Sequence, residues 1–353
     1  MHILFLARTL GYGGAAKILT FLANKLVETE QISILFYEQK EINRPLNDSI
    51  NAVYIPLSGS GMKTRLKRFF QLNKSIKHIK PDIIISFLSA PNFYATLIGI
   101  INRIPVVISE RGDPSLDMTS KAQLQRRFYN LASGAVFQTD GAKECYPTKL
   151  QRKSAVIPNP VPNDSTIIHD ASVSNHIISF VARFENRQKR QDLMLQALFI
   201  IVKNYPDAIL KFYGDGEDEA MIREMTNQLG LQKNVQFMGY TSKVKEVIDE
   251  SEVFCLTSDY EGIPNTLIEA MSIGMPVVST DCTPGGARLL IQNEENGLLV
   301  DRQNPNQIAK AICKVFEDEG LRIKIGKEAK RIRERFSESN IVEEWRRYIA
   351  TIK

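Results

Sequence analysis

Two glutamates and a predicted helix start near residues 254–286 have the spacing of a ligand site. The apolar run 253–256 predicts a buried strand, and a polar segment then leads to Glu261. Pro264 suits the first position of a helix, because a helix start leaves that N–H unpaired in any case. Glu269 would lie in the second turn, near open amides and a positive dipole end that favour an anion. The pattern indicates a site for a phosphorylated, hydroxyl-rich ligand, although caps in an ordinary α/β domain can look similar.

Two basic residues follow a second predicted strand, 177–182. Arg183 directly ends this strand, and Lys189 begins the next predicted helix. An arginine binds phosphate through a fork of donors, and a lysine adds a point charge. Because parallel strands bind ligands at their carboxyl ends, we expect both side chains to face the same crevice as Glu261 and Pro264.

Strand and helix patterns alternate along the whole chain, and 353 residues suffice for about two domains. The proline-rich segment 157–164 is the best boundary, so we expect domains at 1–165 and 166–337. A last helix near 338–353, carrying Trp345, would return to the first domain. The predicted fold class is α/β, with two Rossmann-like, doubly wound domains that face each other across a cleft. The predicted strands are 3–6, 32–37, 83–88, 105–108, 135–138, 155–157, 177–182, 208–213, 235–237, 253–256, 276–280 and 298–300.

Composition and residue spacing argue against a disulfide-bonded protein, a structural metal site and a membrane-spanning helix. The chain is 43% hydrophobic and 24% charged, as in ordinary soluble globular proteins. The four cysteines are far apart, which favours reduced thiols and a cytoplasmic setting, and the four histidines show no metal-ligand spacing. The apolar stretch 83–101 is interrupted by Pro91 and Asn92, so we expect a strand and a helix there rather than a membrane span.

Positive charge is concentrated in the first half. Residues 1–170 hold 21 Lys or Arg against 13 Asp or Glu, which gives this half a net charge of +8. The rest of the chain has a net charge of −3, so the whole chain carries +5. We expect this half to bind an anionic small molecule or an anionic membrane, and we expect no nucleic-acid partner. Residues 62–80 contain seven of these bases and no acid, on a helix with one apolar face. The candidates for contact with an anionic membrane are Lys63, Arg65, Lys67, Arg68, Phe69 and Phe70; the alternative is a surface helix whose lysines only face water.

A glycine-rich turn follows the first predicted strand. Gly11-Tyr12-Gly13-Gly14 lets the backbone approach a ligand closely. The segment resembles a dinucleotide fingerprint, but Ala16 occupies its third glycine position. Glu38 ends the second strand, where an NAD enzyme places its ribose-binding acid, so an NAD-dependent oxidoreductase is the alternative function.

Another polar turn, Ser109–Pro114, follows the strand at 105–108. Glu110 and Arg111 lie at this carboxyl end, where open parallel sheets bind ligands.

Five segments of the second half, spread over residues 177–301, resemble retaining glycosyltransferase family 4. In order they read VARFENRQKRQDLMLQAL, YGDGEDEAMI, VQFMGY, DYEGIPNTLIEAMSIGMPVVSTD and NGLLV. The resemblance implies the GT-B fold and transfer from a nucleotide sugar. An alternative is a non-catalytic partner subunit of the same family. Such a subunit would tolerate loss of the two bases and the two glutamates of the motifs, and here all four are present: Arg183, Lys189, Glu261 and Glu269.

The resemblance also implies roles for these residues. Arg183 and Lys189 would bind the donor diphosphate, Glu261 the transferred sugar, and Glu269 the ribose hydroxyls. The catalytic residues would thus be Glu261, Arg183 and Lys189. The other donor-binding residues would be Gly13, Gly14, Met238, Gly239, Tyr240, Gly262, Ile263, Pro264 and Asn265.

On the acceptor side, many relatives carry a histidine in the loop where this chain reads SERGDP, so Glu110 or Arg111 would replace it. The SER motif resembles a subgroup that acts on polyprenyl-diphosphate-linked sugars in bacterial polysaccharide and glycan assembly. No DxD motif occurs, and we expect no metal and no other cofactor. The implied activity is retaining transfer of a hexose or N-acetylhexosamine from a UDP-sugar, at the inner face of the cell membrane.

Overall fold

The computed structural model describes residues 1–11, 14–38, 40–57, 59, 61–161 and 166–352. They form two compact units: unit 1 comprises Met1–Asn159 with Ser339–Lys353, and unit 2 comprises Pro160–Glu338. Each unit is organised around its own sheet, in which all described strand pairs are parallel.

Unit 1 contains a seven-stranded sheet in the order β3-β2-β1-β4-β5-β6-β7. Its strands read as short runs of Ile, Val, Leu and Phe because helices cover both faces of a parallel sheet. In β4, for example, every residue of IIISF is buried. The strands are β1 His2–Ala7, β2 Gln31–Phe36, β3 Asn51–Tyr54, β4 Ile83–Phe87, β5 Val106–Ser109, β6 Gly134–Phe137 and β7 Ser154–Val156.

In the described part of unit 1, six helices connect these strands, and a short 3₁₀ turn, Tyr129–Leu131, follows the fourth. The helices are α1 Gly14–Leu26, α2 Met62–Ile79, α3 Ser89–Asn102, α4 Ser120–Phe128, α5 Asp140–Glu144 and α6 Thr148–Gln151.

Unit 2 contains a six-stranded sheet in the order β10-β9-β8-β11-β12-β13. Its strands are β8 Ile177–Val181, β9 Ile209–Tyr213, β10 Val235–Gly239, β11 Val253–Leu256, β12 Val277–Thr280 and β13 Leu298–Val300. Its helices are α7 Asn186–Lys189, α8 Gln191–Ile201, α9 Glu219–Gln228, α10 Val244–Ile248, α11 Asn265–Ile273, α12 Gly286–Leu290, α13 Pro305–Glu317, α14 Glu319–Ala329 and α15 Ile332–Arg335.

The last helix, α16 (Glu338–Ala350), packs within unit 1. Trp345 is fully buried and stacks on Phe87 of β4, with 6.3 Å between ring centroids. The Tyr348 hydroxyl accepts a hydrogen bond from the N–H of Ala135 (2.8 Å) and donates one to the carbonyl of Lys153 (2.6 Å). These contacts tie the chain end to β4 and β6.

The predicted α/β class with two doubly wound parallel sheets is confirmed. The sequence missed β3, whose four residues are at least partly exposed and too few to show a pattern. Helix α3 begins at Ser89, because a proline such as Pro91 is tolerated in the first turn. Helix α11 begins one residue after Pro264, whose ψ of 107° is extended.

Candidate functional site

The loops after β11 and β12 are tied to each other at the carboxyl edge of the unit 2 sheet. The N–H of Glu261 donates to the carbonyl of Thr283 (2.7 Å), and the Thr280 hydroxyl donates to the carbonyl of Ser258 (2.6 Å). Gly286 starts α12 directly against this loop: a Cβ there would lie 2.0 Å from the carbonyl oxygen of Gly262. Only glycine permits that approach, so the backbone around Gly262 has a fixed position.

The loop after β8 is fastened to the same place. The Thr257 hydroxyl lies 2.9 and 2.8 Å from the carbonyl oxygens of Lys189 and Arg190, and the N–H of Asp259 donates to the carbonyl of Gln188 (2.8 Å). Arg190 has a left-handed backbone (φ 54°), so Lys189 ends the short helix α7 instead of beginning the predicted helix, and α8 starts at Gln191. The residues that carry the charges of two loops are thereby held side by side.

A carboxylate with three donors lies at the centre of this arrangement. Glu261 is 8% exposed and forms an ion pair with Lys189. It also accepts hydrogen bonds from the Ser258 hydroxyl (2.8 Å) and the Gln188 amide (3.2 Å). The structure therefore brings together Lys189 and Glu261, which are 72 residues apart.

Arg183 is not part of this cluster. Its side chain is 71% exposed, and the contact that the structure describes is an ion pair with Glu185 (2.7 Å). The nearby Arg190, which the sequence analysis did not single out, pairs instead with Asp192 (3.0 Å) and Asp259 (2.8 Å). These two carboxylates raise the pKa of Arg190 further above its ordinary value.

The remaining donor-site candidates follow the same sheet edge. Met238 and Tyr240 are 48% and 68% exposed at the end of β10, on either side of Gly239 with its φ of 76°. Ile263 and Pro264 are buried, so their side chains are not offered to a ligand. Asn265 begins α11, and Glu269 is half-buried one turn later.

Gln188, Ser258, Asp259 and Arg190 were not among the candidates from the sequence. Gln188, Arg190 and Asp259 lie inside the segments that resemble family 4, so their place in those segments is the signal that could have indicated them. Ser258 is a neutral residue directly before one of these segments.

In unit 1, Glu110 occupies a buried position after β5. The side chain accepts hydrogen bonds from the hydroxyls of Tyr146 (3.1 Å) and Ser89 (3.5 Å), and the residue is 8% exposed. Burial raises the pKa of this carboxyl above its ordinary value, and the two hydroxyls offset the shift only in part. Glu110 is thus a carboxyl group that holds a proton more readily than an exposed glutamate.

Arg111 is enclosed by aromatic rings. Its guanidinium lies 5.3 Å from the ring centre of Phe87 and 5.7 Å from that of Trp345. It also donates to the Ser109 hydroxyl (2.9 Å) and to the side-chain oxygen of Asn159 (3.2 Å). Burial lowers the pKa of Arg111 to about 9. These contacts fix α16 against the strand ends as well as positioning the guanidinium.

Two other predictions concern the first loop. Gly13 lies outside the described residues, and Gly14 is the first residue of α1. Glu38, the acid that an NAD enzyme would need, forms an ion pair with Arg8.

The membrane-facing candidates divide into two groups. Lys63, Arg65, Lys67 and Phe70 are exposed on α2. The prediction is wrong for Arg68, which is 5% exposed, donates to the carbonyls of Leu57 and Gly59, and lies over the ring of Tyr37. Phe69 packs partly into the core of unit 1 and is likewise turned inward.

The described ranges contain no cluster of three or more His, Cys, Asp or Glu side chains that could hold a metal ion. Among the helices of this part of the chain, none is both long and apolar enough to cross a membrane.

Comparisons with known proteins show what this chain is similar to. The model of the family described as "Glycosyl transferases group 1" matches residues 167–332, all within unit 2. The chain is 28% identical to GalNAc-alpha-(1->4)-GalNAc-alpha-(1->3)-diNAcBac-PP-undecaprenol alpha-1,4-N-acetyl-D-galactosaminyltransferase of Campylobacter jejuni, over 100% of this chain and 99% of that relative. It is 24% identical to UDP-Gal:alpha-D-GlcNAc-diphosphoundecaprenol alpha-1,3-galactosyltransferase of Escherichia coli, over 85% of this chain and 84% of the relative.

Solved structures share the whole fold. Anabaena HepE in complex with UDP superposes with a TM-score of 0.82 at 18% identity, covering 99% of this chain and 100% of HepE. The lipopolysaccharide outer core galactosyltransferase WaaB, in its apo form, gives 0.83 at 20% identity and 99% coverage of both chains. The chain is therefore a glycosyltransferase with the GT-B fold, and its unit 2 carries the domain of the group 1 glycosyl transferases.

Proposed function

We propose that this glycosyltransferase moves a hexose or N-acetylhexosamine from a UDP-sugar to a polyprenyl-diphosphate-linked glycan, with retention of configuration and without a metal. The product would be an intermediate of a bacterial surface polysaccharide. The observation that carries the proposal is the cluster of Lys189 and Glu261 with Ser258 and Gln188, at the carboxyl edge of the sheet that matches the family.

The donor diphosphate needs positive charge, because negative charge develops on it as the glycosidic bond breaks. Lys189 and the exposed Arg183 would supply that charge. Both are already paired with carboxylates, Glu261 and Glu185, so the diphosphate oxygens would take the place of those partners. Retention would then follow if the leaving phosphate takes the proton of the acceptor hydroxyl on the same face of the sugar.

The sugar and the nucleoside would bind on either side of the diphosphate. Glu261, released from Lys189, would accept hydrogen bonds from sugar hydroxyls, and the N–H groups of Gly262, Ile263 and Asn265 would donate to the sugar and phosphates. Pro264 has no N–H to contribute. Glu269 would bind the ribose hydroxyls, and the exposed Met238 and Tyr240 would flank the base.

UDP is favoured because the relative from Escherichia coli is named for UDP-Gal and the structure of HepE contains UDP. Both relatives described above are named for undecaprenol-linked diphosphate substrates, which favours a lipid-linked acceptor here.

On the acceptor side, Glu110 is the residue that best fits the reaction. A carboxyl group with a raised pKa shares a proton readily with a hydroxyl, so it would orient the attacking hydroxyl of the acceptor. Arg111 would attract the acceptor diphosphate. A lipid-linked acceptor would bring the enzyme to the membrane, and a nucleotide-sugar donor would place it at the cytoplasmic face, where exposed Lys63, Arg65, Lys67 and Phe70 would contact lipid.

The test is a donor screen in detergent. The enzyme is incubated with undecaprenyl-diphosphate-linked GlcNAc or GalNAc and, separately, with UDP-Glc, UDP-Gal, UDP-GlcNAc, UDP-GalNAc and GDP-Man. Mass spectrometry of the lipid detects the added sugar, NMR gives the configuration of the new bond, and addition of EDTA tests metal independence. We expect one UDP-sugar to be transferred with an α linkage, and no transfer by Lys189→Ala; Lys314→Ala, which breaks an exposed ion pair with Glu294 in the same unit, is the matched control.

Thermal unfolding with UDP, GDP and NAD separates this proposal from the oxidoreductase. Stabilisation by NAD and by neither nucleoside diphosphate would contradict it. UDP binding without transfer to any acceptor would favour a non-catalytic partner subunit.

A further inference from the structure

The outward side of α3 is apolar from end to end. The helix has no charged residue, and after Ser89 its exposed residues are Ala90, Phe93, Ile100 and Ile101. The phenylalanine and the two isoleucines are 40%, 46% and 52% exposed. A helix that covers a sheet normally turns a polar side to water. Helix α3 instead turns apolar side chains to water, although only its other side is buried.

Helix α2 lies beside α3 and continues this apolar surface. Met62, Leu66 and Phe70 recur every four residues and are 71%, 53% and 64% exposed. Asn73 lies on the same side of α2 as Met62, because the eleven positions between them make close to three full turns. Its side chain accepts a hydrogen bond from Asn102 at the end of α3 (2.7 Å), which places the exposed stripe of α2 next to α3.

On the opposite side of α3 the surface continues through α4. Phe93 of α3 contacts Phe128 of α4, with 5.1 Å between ring centroids, and Gln125 donates to the carbonyl of Ser89. Helix α4 and the residues on either side of it expose four further large apolar side chains, each by 56–68%: Leu116, Met118, Leu124 and Leu131.

The helices of this surface carry charges of one sign, although the exposed Asp117 lies in the loop between Leu116 and Met118. Helices α2, α3 and α4 together contain nine Lys or Arg and no Asp or Glu. Two of the nine, Arg68 and Arg126, are buried, and the other seven are exposed beside the apolar side chains. An apolar centre with basic flanks is the pattern of proteins that lie on anionic bilayers.

We propose that the outer face, defined as the exposed side chains of α2, α3 and α4 together with Leu116, Met118 and Leu131, inserts into the interface of an anionic lipid bilayer. The apolar side of α3 enters the boundary between headgroups and acyl chains, and the bases of α2 and α4 contact lipid phosphates on both sides of it. This inference rests on the proposed lipid-linked acceptor for its purpose, and it assigns to α3 the role that the sequence suggested for α2 alone.

A bilayer fits this face better than a second copy of the chain does. Two copies that joined through this face would bring their exposed bases together without any acid on these helices, and like charges in contact are unfavourable. Insertion is shallow because α3 has 14 residues, or about 21 Å of helix, against a bilayer core of about 30 Å.

The test is sedimentation of the full chain with vesicles of phosphatidylcholine alone or with 30 mol% phosphatidylglycerol. Two variants probe the two parts of the face: Phe93→Gln with Ile100→Gln and Ile101→Gln, and Lys63→Glu with Lys67→Glu. We expect wild-type protein to bind the anionic vesicles, and each variant to lose affinity about tenfold or more. The matched controls are Phe199→Gln with Met221→Gln and Lys233→Glu with Lys310→Glu, which alter exposed residues of unit 2.

Binding of UDP and transfer to the acceptor in detergent are measured on the same proteins. Retention of both by the face variants, together with loss of vesicle binding, supports the proposal. Equal binding of wild type and the α3 variant to vesicles would overturn it. So would a wild-type dimer that the α3 variant converts to monomer without any vesicle binding. Vesicle binding by a protein that binds no UDP would refute the proposed function and leave the docking surface in place.

Discussion

The strand ends of the two sheets hold their charged side chains by different means. In unit 2 each important base meets an acid: Lys189 pairs with Glu261, and Arg190 with Asp259. In unit 1 the acid and the base are adjacent in sequence but have neutral partners. Glu110 is bound by hydroxyl groups, and Arg111 lies against aromatic rings.

The two edges are therefore suited to different ligands. A site of paired charges is nearly neutral, and its bases and acids would become available separately to the proposed diphosphate and sugar hydroxyl groups. A site with a buried carboxyl and an aromatic cage depends on the packing of α16, so its shape and its electrostatics are linked. The following predictions test these two descriptions in order of decreasing effect.

Removal of Trp345 should have the largest effect on stability. Trp345→Ala deletes a fully buried ring that stacks on Phe87 and lies against Arg111. We expect the free energy of unfolding to fall by about 3–5 kcal/mol, measured by urea denaturation. The control Phe199→Ala, in an exposed position of unit 2, should change it by roughly 0.5 kcal/mol or less. A loss below about 1 kcal/mol for Trp345→Ala would show that the ring does not hold the edge of unit 1.

Glu261→Gln should break the paired site of unit 2, and Arg183→Ala should remove the exposed base that follows β8. Each removes one charged group that the proposed reaction uses, so we expect kcat to fall by roughly 10²–10³, the scale for one preorganised stabilising group. Steady-state kinetics with saturating donor measures this, and Lys314→Ala should leave kcat unchanged. Near-normal kcat in both variants would show that these residues are not catalytic.

Glu110→Gln should separate stability from activity in unit 1. Burial raises the folded-state pKa of Glu110 above its ordinary value of 4.5, so above that pH the folded state binds more protons than the unfolded state. Stability therefore falls as pH rises through the folded pKa, and glutamine removes this loss. We expect the variant to be more stable than wild type at pH 8, with a smaller difference at pH 5, when urea denaturation is compared at the two values.

The same variant should transfer sugar about 10–100 times more slowly, because the amide of glutamine cannot share a proton with the acceptor hydroxyl as the carboxyl group does. Tyr146→Phe is the companion variant, since it removes a hydrogen bond of Glu110 and leaves the carboxyl in place. Normal transfer by Glu110→Gln would make this residue purely structural.

The smallest effect is expected for an exposed pair at the edge of unit 2. Arg288 pairs with Asp281 after β12, and its side chain is 69% exposed. Because solvent screens such pairs, Arg288→Ala should cost about 0–1 kcal/mol of unfolding free energy in the same urea experiment. A larger loss would mean that the outer pairs, as well as the buried ones, hold the loops of unit 2.

Much of unit 2 could be predicted from sequence because its chemistry is local. Glu261, Pro264 and Glu269 lie within nine residues, and the strand patterns place them at one edge. Lys189 was expected at the same edge as Glu261, but Gln188 was not, since it comes from α7 and its position depends on the left-handed turn at Arg190.

Unit 1 was harder to predict because its contacts join distant segments. The ring that covers Arg111 comes from Trp345 at the other end of the chain. Arg68 resembled its exposed neighbours, but the carbonyls of Leu57 and Gly59 and the ring of Tyr37 draw it inward. The apolar residues of α3 fitted a buried helix equally well, and only the packing shows that half of them face outward.

The contact between Gly262 and Gly286 has a consequence for engineering a new donor specificity. A randomised library should leave position 286 fixed, because any side chain there would displace the backbone next to Glu261. Met238 and Tyr240 are exposed, so diversity can be introduced there without disturbing the packing beneath them. Positions that must stay fixed and positions that can vary are therefore separate along one sheet edge, which gives a practical plan for directed evolution.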